Sequence, residues 1–155
     1  MKAIKVLAEA KVDFVIIGGW CAILHGSAYV TNDLDVCFAR DKENCERIAR
    51  ALAPFHPRLR DMPPNLPFVW DATTLSNGSI FTLSTDLGPI DLLAEVSGLG
   101  DFSDVKRCSV LARMIDLQVW TLDLKSLIRA KRAAGREKDL KLLPELESLL
   151  EAEEP

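Results

Sequence analysis

The sequence predicts one α/β domain of the α+β kind over residues 1–155, with a core over 1–122 and a helical segment over 123–155. Three observations carry this. The apolar run Phe14–Ile17 is too short for a helix, suits a buried strand, and stops at Gly18-Gly19, after which Trp20, Ile23 and Leu24 recur at helical spacing. Next, Leu34, Val36 and Phe38 alternate with Asp33, Asp35 and Cys37, the period of a strand with one buried face. Last, Leu124, Leu127 and Ile128, and later Leu142, Leu143, Leu146, Leu149 and Leu150, form the stripes of two amphipathic helices.

Taken in order, residues 1–10 predict a short amphipathic helix with Ile4, Leu7 and Ala8 on one stripe. Asp41 is placed to cap a helix that runs to about Leu52, with Ile48 and Leu52 turned inward, and Pro54 and Pro57 end it. Residues 55–67 are proline-rich, carry Arg58 and Arg60, and read as a loop over one edge of the site. Phe68 and Val69 begin a short strand. The Asn77-Gly78 turn precedes a strand over 79–84, and the turn at Asp86-Leu87-Gly88 feeds another over 89–96, PIDLLAEV. Residues 105–122 predict two strands about a turn near Asp116. In the helical segment Gly135 separates two helices and Pro144 kinks or restarts the second. Lys131 continues an apolar stripe, which is uncommon for a lysine unless it meets an anion or snorkels.

Composition excludes several classes. A net charge of −4 argues against wholesale electrostatic capture of nucleic acid, and no apolar run approaches transmembrane length. Cys21, Cys37, Cys45 and Cys108 make no C-x-x-C pair, so they predict reduced thiols in a cytoplasmic protein with no membrane partner. At this length a single real core is expected.

The chemistry sits between Val15 and Phe38, VIIGGWCAILHGSAYVTNDLDVCF. Carboxylates at i and i+2 of a strand share a face, with Cα atoms roughly 6.5 Å apart, and repel when ionised. A hard divalent cation relieves that repulsion. Glycines at a strand-to-helix turn let backbone N–H groups approach a phosphate. Asp91 is the natural third carboxylate, because its strand follows a hairpin turn, and Glu95 ranks below it beyond the strand end. Thr31 either bonds a nucleotide or stabilises the turn into the strand, and His25 either caps the first site helix or is exposed. Asp139 reads as a structural partner for a neighbouring cation.

The strand ending in Gly18-Gly19, the helix, and Thr31-Asn32-Asp33-Leu34-Asp35-Val36, with fourteen positions from Gly19 to Asp33, together resemble the signature of the DNA polymerase β-like nucleotidyltransferase superfamily. The string GGWCAILHGSAYVTNDLDV resembles its small bacterial group related to AbiEii toxins and minimal nucleotidyltransferases. PIDLLAEV is similar to the superfamily's third signature, and KSLIRAKRAAGREKDLKLL to the C-terminal hallmark of that group. The resemblance implies a nucleotidyltransferase fold with a mixed central sheet flanked by helices. It implies Mg²⁺ (or Mn²⁺) on Asp33, Asp35 and Asp91 as catalytic carboxylates, and a nucleoside triphosphate held by Gly18, Gly19, Thr31, Lys131 and Arg136. The acceptor it implies is a tRNA end, a protein hydroxyl or a small antibiotic-like molecule. Relatives often act in toxin–antitoxin pairs, which implies an antitoxin chain as partner; apart from the resemblance, the compact chain offers no obvious second substrate domain, so a homodimer or a partner is expected to complete the cleft. Relatives often carry Arg two residues before the Thr, where this chain has Tyr29. That departure keeps open a non-catalytic nucleotide-binding or regulatory protein on the same fold. A metal-dependent phosphohydrolase is the third reading.

Overall fold

A computed structural model describes residues 1–154, so Pro155, the end of the predicted helical segment, lies outside the described residues. The chain opens with helix α1 (Lys2–Glu9), which buries Ala3, Ile4 and Leu7. Strand β1 (Phe14–Ile17) is buried at all four positions, as its unbroken apolar run requires, and helix α2 (Gly18–Leu24) follows it without a linking residue. Strand β2 (Leu34–Phe38) comes next, then helix α3 (Lys42–Leu52), whose first turn is capped by Asp41 accepting from the Asn44 N–H at 3.2 Å.

The proline-rich stretch departs from the expected loop. A 3₁₀ turn at Ala53–Phe55 leads into a two-residue strand β3 (Arg58–Leu59), which pairs with the edge of the sheet. Helix α4 (Ala72–Asn77), capped by Asp71, stands after the place where Phe68 and Val69 were expected to begin a strand. Those two residues have no strand partner and lie outside the sheet, although Phe68 tilts against Trp70 with ring centroids 6.4 Å apart.

Strands β4 (Ile80–Thr85) and β5 (Gly88–Leu93) form the expected hairpin. The predicted strand over 89–96 divides at Ala94, and its end, β6 (Glu95–Val96), leaves to pair with β7 (Gly100–Asp101) in a separate ribbon. Helix α5 (Phe102–Arg107) occupies the start of the segment read as strand, because Asp101 and Asp104 form a reciprocal capping box there. Strands β8 (Ser109–Met114) and β9 (Leu117–Leu122) follow, turning at Ile115-Asp116.

Helix α6 (Leu124–Ala134) is capped by Asp123 and ended by Gly135 at φ +65°; helix α7 (Glu137–Glu153) packs back against it. Pro144 neither breaks nor restarts α7, which runs unbroken through it. Its ring lies on the solvent side, and the carbonyl it leaves unpaired belongs to Leu140, which is also exposed.

The main sheet is mixed and seven-stranded, in the order β3-β4-β5-β2-β1-β9-β8. Strand β2 runs parallel to β5 and antiparallel to β1, while β1 runs parallel to β9. The α/β class, mixed sheet and flanking helices therefore stand as the sequence predicts. Among the described residues no helix is long and apolar enough to cross a membrane.

Candidate active site

The site forms where β1 ends and β2 begins. Ile17 pairs with Asp35, so the Gly18 that follows comes to rest over the Asp35 side chain. Gly18 has φ +65°, and a Cβ there would overlap Asp35 Oδ2 and stand 3.1 Å from its Cγ. No other residue type meets both conditions without strain. The N-cap of α2 is Ile17, which has no side-chain hydrogen bond to offer, so the first N–H groups of that helix have no side-chain cap. A Cβ at Gly19 would press on Tyr29 Cε1 at 2.7 Å and Thr31 Cβ at 3.0 Å, so this glycine admits both side chains against the turn.

Register brings the acids together. Asp35 lies directly opposite Asp91 across the parallel β2–β5 pair, and Thr82 lies opposite Asp91 on the other side. Asp33, two residues before Asp35, is on the same face and more exposed. The Asp35 carboxyl is pushed up to about 6 by burial first, then by the charge of and hydrogen bond to Asp91 and the charge of Asp33; Lys131 opposes this. Its Oδ1 is buried without a hydrogen-bond partner.

Arg60 completes the cluster. Its backbone N–H donates to the Thr82 carbonyl at 2.8 Å, fixing its Cα beside β4, the one strand that lies between it and Asp91. From there its guanidinium pairs with Asp91 through Nη2 and lies 3.9 Å from Asp33 Oδ2 through Nη1. Among the described residues, no group of three His, Cys, Asp or Glu side chains stands in a geometry that could hold a metal ion. The three acids are gathered on one face, with an arginine bridging two of them.

Thr31 uses its hydroxyl locally. It accepts from the Asp33 N–H at 3.2 Å and reaches the Asp33 carbonyl at 3.4 Å, which stabilises the turn into β2. Lys131 and Arg136 converge on Asp139, which is fully buried: Lys131 Nζ is 3.1 Å from Oδ1 and Arg136 Nε donates to Oδ2 at 2.7 Å. Burial alone would raise the Asp139 pKa, but the hydrogen bonds from Arg136 and then Lys131 outweigh it and hold the carboxyl below its usual range. Both cations also feel the site. Lys131 favours the charged form of Asp35, and Asp35 and Asp91 add to the pull of Asp139 in raising the Arg136 pKa.

Other candidates fall away from the cluster. His25 Nε2 is bonded to the Leu122 carbonyl at 2.7 Å, and Glu95 is exposed on the separate ribbon. All four cysteines are free thiols, and burial drives those of Cys21 and Cys37 up to about 12, so neither is a nucleophile. Sequence reasoning places Arg60 in a loop over one edge of the site but gives it no role there. Its signal was an arginine within a proline-rich stretch lacking helical or strand periodicity.

No protein-family profile matches the chain, and no curated protein matches it in sequence. Solved structures do match its fold. TM1012 of Thermotoga maritima, described as a "putative nucleotidyltransferase", has TM-score 0.56 at 16% identity, covering 95% of this chain and 93% of that one. The lincosamide antibiotic adenylyltransferase LnuA, bound to lincomycin, has TM-score 0.61 at 15% identity, covering 96% and 94%. The protein ANT(2")-Ia, in complex with adenylyl-2"-tobramycin, has TM-score 0.51 at 12% identity, covering 94% and 92%. The chain has the fold of these nucleotidyltransferases over nearly its whole length.

Proposed function

We propose that this chain is a metal-dependent nucleotidyltransferase that moves a nucleoside monophosphate from a nucleoside triphosphate to an acceptor hydroxyl. One observation carries the reading: Asp35 faces Asp91 in register, with Asp33 beside them and Gly18 closed over the Asp35 carboxylate. The donor chemistry suits a divalent cation, although the three carboxylates as they stand, with Arg60 paired to Asp33 and Asp91, do not form a group that could hold one. The orphaned Asp35 Oδ1 lacks a partner that such an ion would supply, and the donor set is all carboxylate oxygen, the preference of Mg²⁺ or Mn²⁺. Asp33, Asp35 and Asp91 would hold it once Arg60 leaves Asp33 and Asp91 and the carboxylates draw together, and when bound it would supply Lewis-acid stabilisation of charge at the reacting phosphate.

The rest is the work of the chain itself. The N–H groups at Gly18 and Gly19 hold the outer phosphates of the nucleotide. Asp91 accepts the proton of the acceptor hydroxyl as that oxygen attacks the α-phosphate. Lys131, joined by Arg136, neutralises charge on the departing pyrophosphate. Asp139 holds those two cations in place. Thr31 acts on the nucleotide through the Asp33 turn that it stabilises.

For the acceptor we favour a small molecule, since two proteins of similar fold are described with lincomycin or adenylyl-2"-tobramycin bound. A tRNA end, a toxin–antitoxin role and an antitoxin partner rest on the AbiEii-like strings of the sequence, and a homodimer on the need of so compact a chain for a second wall to its cleft. The test is incubation of the chain and Mg²⁺ with each α-labelled triphosphate, a panel of hydroxylated small molecules and total RNA. Label is expected on one acceptor class, and Asp33→Ala with Asp35→Ala abolishes it. Free monophosphate without any acceptor identifies a phosphohydrolase instead. Triphosphate binding without turnover identifies a non-catalytic binding protein, and no binding at all, with the double variant indistinguishable, overturns the reading.

A further inference from the structure

Arg60 is the single basic side chain, among the described residues, that forms an ion pair with Asp33 or Asp91, and it pairs with both. It is largely withdrawn from water, with 23% of its side chain exposed, whereas the Arg58 two residues earlier is exposed. One positive charge here stands against three carboxylates, and Asp35 Oδ1 receives no hydrogen bond from it. Arg60 also lines an adjoining cavity of about 330 Å³, together with Arg58, Met62, Leu66 and Phe68.

We propose that Arg60 is the built-in counter-ion of the carboxylate cluster, which a divalent cation displaces toward that cavity on entering. The proposal rests on the metal-dependent reading of the site. Two like-charged carboxylates in neighbouring positions need a cation near them, and the arginine supplies one from the protein. A doubly charged ion competes for the same oxygens with twice the charge and no side-chain entropy to lose. The exchange asks little of the fold. The Arg60 N–H stays on the Thr82 carbonyl, so its flexible stem can swing while the backbone remains in register. The proline-rich segment that carries it is thus a functional part of the site. Its arginine moves from acids to cavity as the metal enters, and there its donors face incoming ligand together with Arg58.

Calorimetric titration of the nucleotide-free full chain with Mn²⁺ tests this, comparing the native chain with Arg60→Gln and Arg60→Lys. Removing the competitor is expected to tighten Mn²⁺ binding on the order of tenfold in Arg60→Gln, as befits a partly exposed pair, with Arg60→Lys in between. Without metal, Arg60→Gln is expected to melt below the native chain, and saturating Mn²⁺ closes the gap. Equal or weaker Mn²⁺ binding by Arg60→Gln overturns the counter-ion role while leaving the transferase reading untouched. Absence of Mn²⁺ binding in every chain, with melting unmoved, overturns both. Tighter binding by Arg60→Gln in a protein that transfers nucleotide to no acceptor supports the counter-ion role and sinks only the transferase reading.

Discussion

Asp35 and Asp91 face one another across the parallel pairing of β2 and β5, like charge against like charge at one register position, with Gly18 closing the space above. Such an arrangement is unfavourable in a folded protein unless a cation or a proton joins it. Here the Asp35 carboxyl answers by holding its proton up to about pH 6.

The first prediction follows from that proton. Because the folded-state pKa of Asp35 lies above its ordinary value of 3.8, the native state binds the proton more tightly than the unfolded chain. Stability of the metal-free protein therefore falls as pH rises between about 4 and about 6, and stays lower above that window. Asp35→Asn removes this penalty and is expected to stabilise the metal-free chain at pH 8 by about 1–3 kcal/mol, with little gain at pH 4. Urea melts at the two pH values measure it, and an equal gain at both contradicts the assignment.

Two glycines with the same φ of +65° separate backbone strain from site geometry. At Gly135 a Cβ meets nothing nearer than the Arg132 carbonyl at 3.6 Å, so Gly135→Ala is expected to cost about 1 kcal/mol of stability and leave nucleotide binding unchanged. At Gly18 the same methyl must push the Asp35 carboxylate aside. Gly18→Ala is expected to lose Mn²⁺ and nucleotide affinity by at least about tenfold while the chain still folds, as circular dichroism and calorimetry would record. Equal binding defects in the two variants would show that strain alone is responsible.

The parts of this site legible in the sequence were those written in local pattern. Asp33 and Asp35 announced themselves by strand alternation beside a Gly-Gly turn, and Asp91 by its place after a hairpin. Lys131 was visible as a charge on an apolar stripe, and the structure puts Asp139 against it. What was not legible depended on pairing across the sheet. The Asp35–Asp91 register is a long-range fact, and so is the single N–H that sets Arg60 beside Thr82. A two-residue edge strand between prolines leaves no periodicity to detect, so Arg60, which follows it directly, is placed by the sequence only in a loop over one edge of the site. Helices α4 and α5 were missed because each is six residues long, too short for a stripe, and only their Asp caps marked them.

Asp139 offers a third prediction. It is fully buried and takes its hydrogen bonds from Lys131 and Arg136, so Asp139→Asn leaves the nearly covered Lys131 ammonium facing a neutral amide. A loss of about 2–4 kcal/mol is expected at pH 7. The Asp139 pKa is depressed in the folded state, so its contribution is present above the ordinary carboxylate value and disappears as pH falls through the folded one. Native and variant stabilities should therefore converge in acid. In the proposed reaction Lys131→Gln, which leaves Arg136 on Asp139, is expected to lower kcat by at least about tenfold with a smaller change in KM, and a change in KM alone would move Lys131 from the departing group to ground-state binding.

Asn44 tests whether the two ends of the central strands can be uncoupled. Buried at the start of α3, it accepts from the Asp13 N–H at 2.7 Å and donates to the Asp13 and Ala39 carbonyls at 3.0 and 2.7 Å. Asp13 precedes β1 and Ala39 follows β2, so this side chain ties the ends of the antiparallel pair that lie away from Gly18 and Asp33. Asn44→Ala takes the side-chain partner from the Asp13 N–H and the Ala39 carbonyl, while the Asp13 carbonyl keeps the Ala39 N–H at 3.2 Å, and a loss of about 1–3 kcal/mol is expected from chemical denaturation. Strand pairs from Ile16–Val36 to Ile17–Asp35 remain to hold the carboxylates in register. Mn²⁺ affinity at a temperature where the variant is folded should accordingly match the native chain. A tenfold loss there would mean that the register of Asp35 against Asp91 is set from the far end of β2 and not by the pairing around the acids themselves.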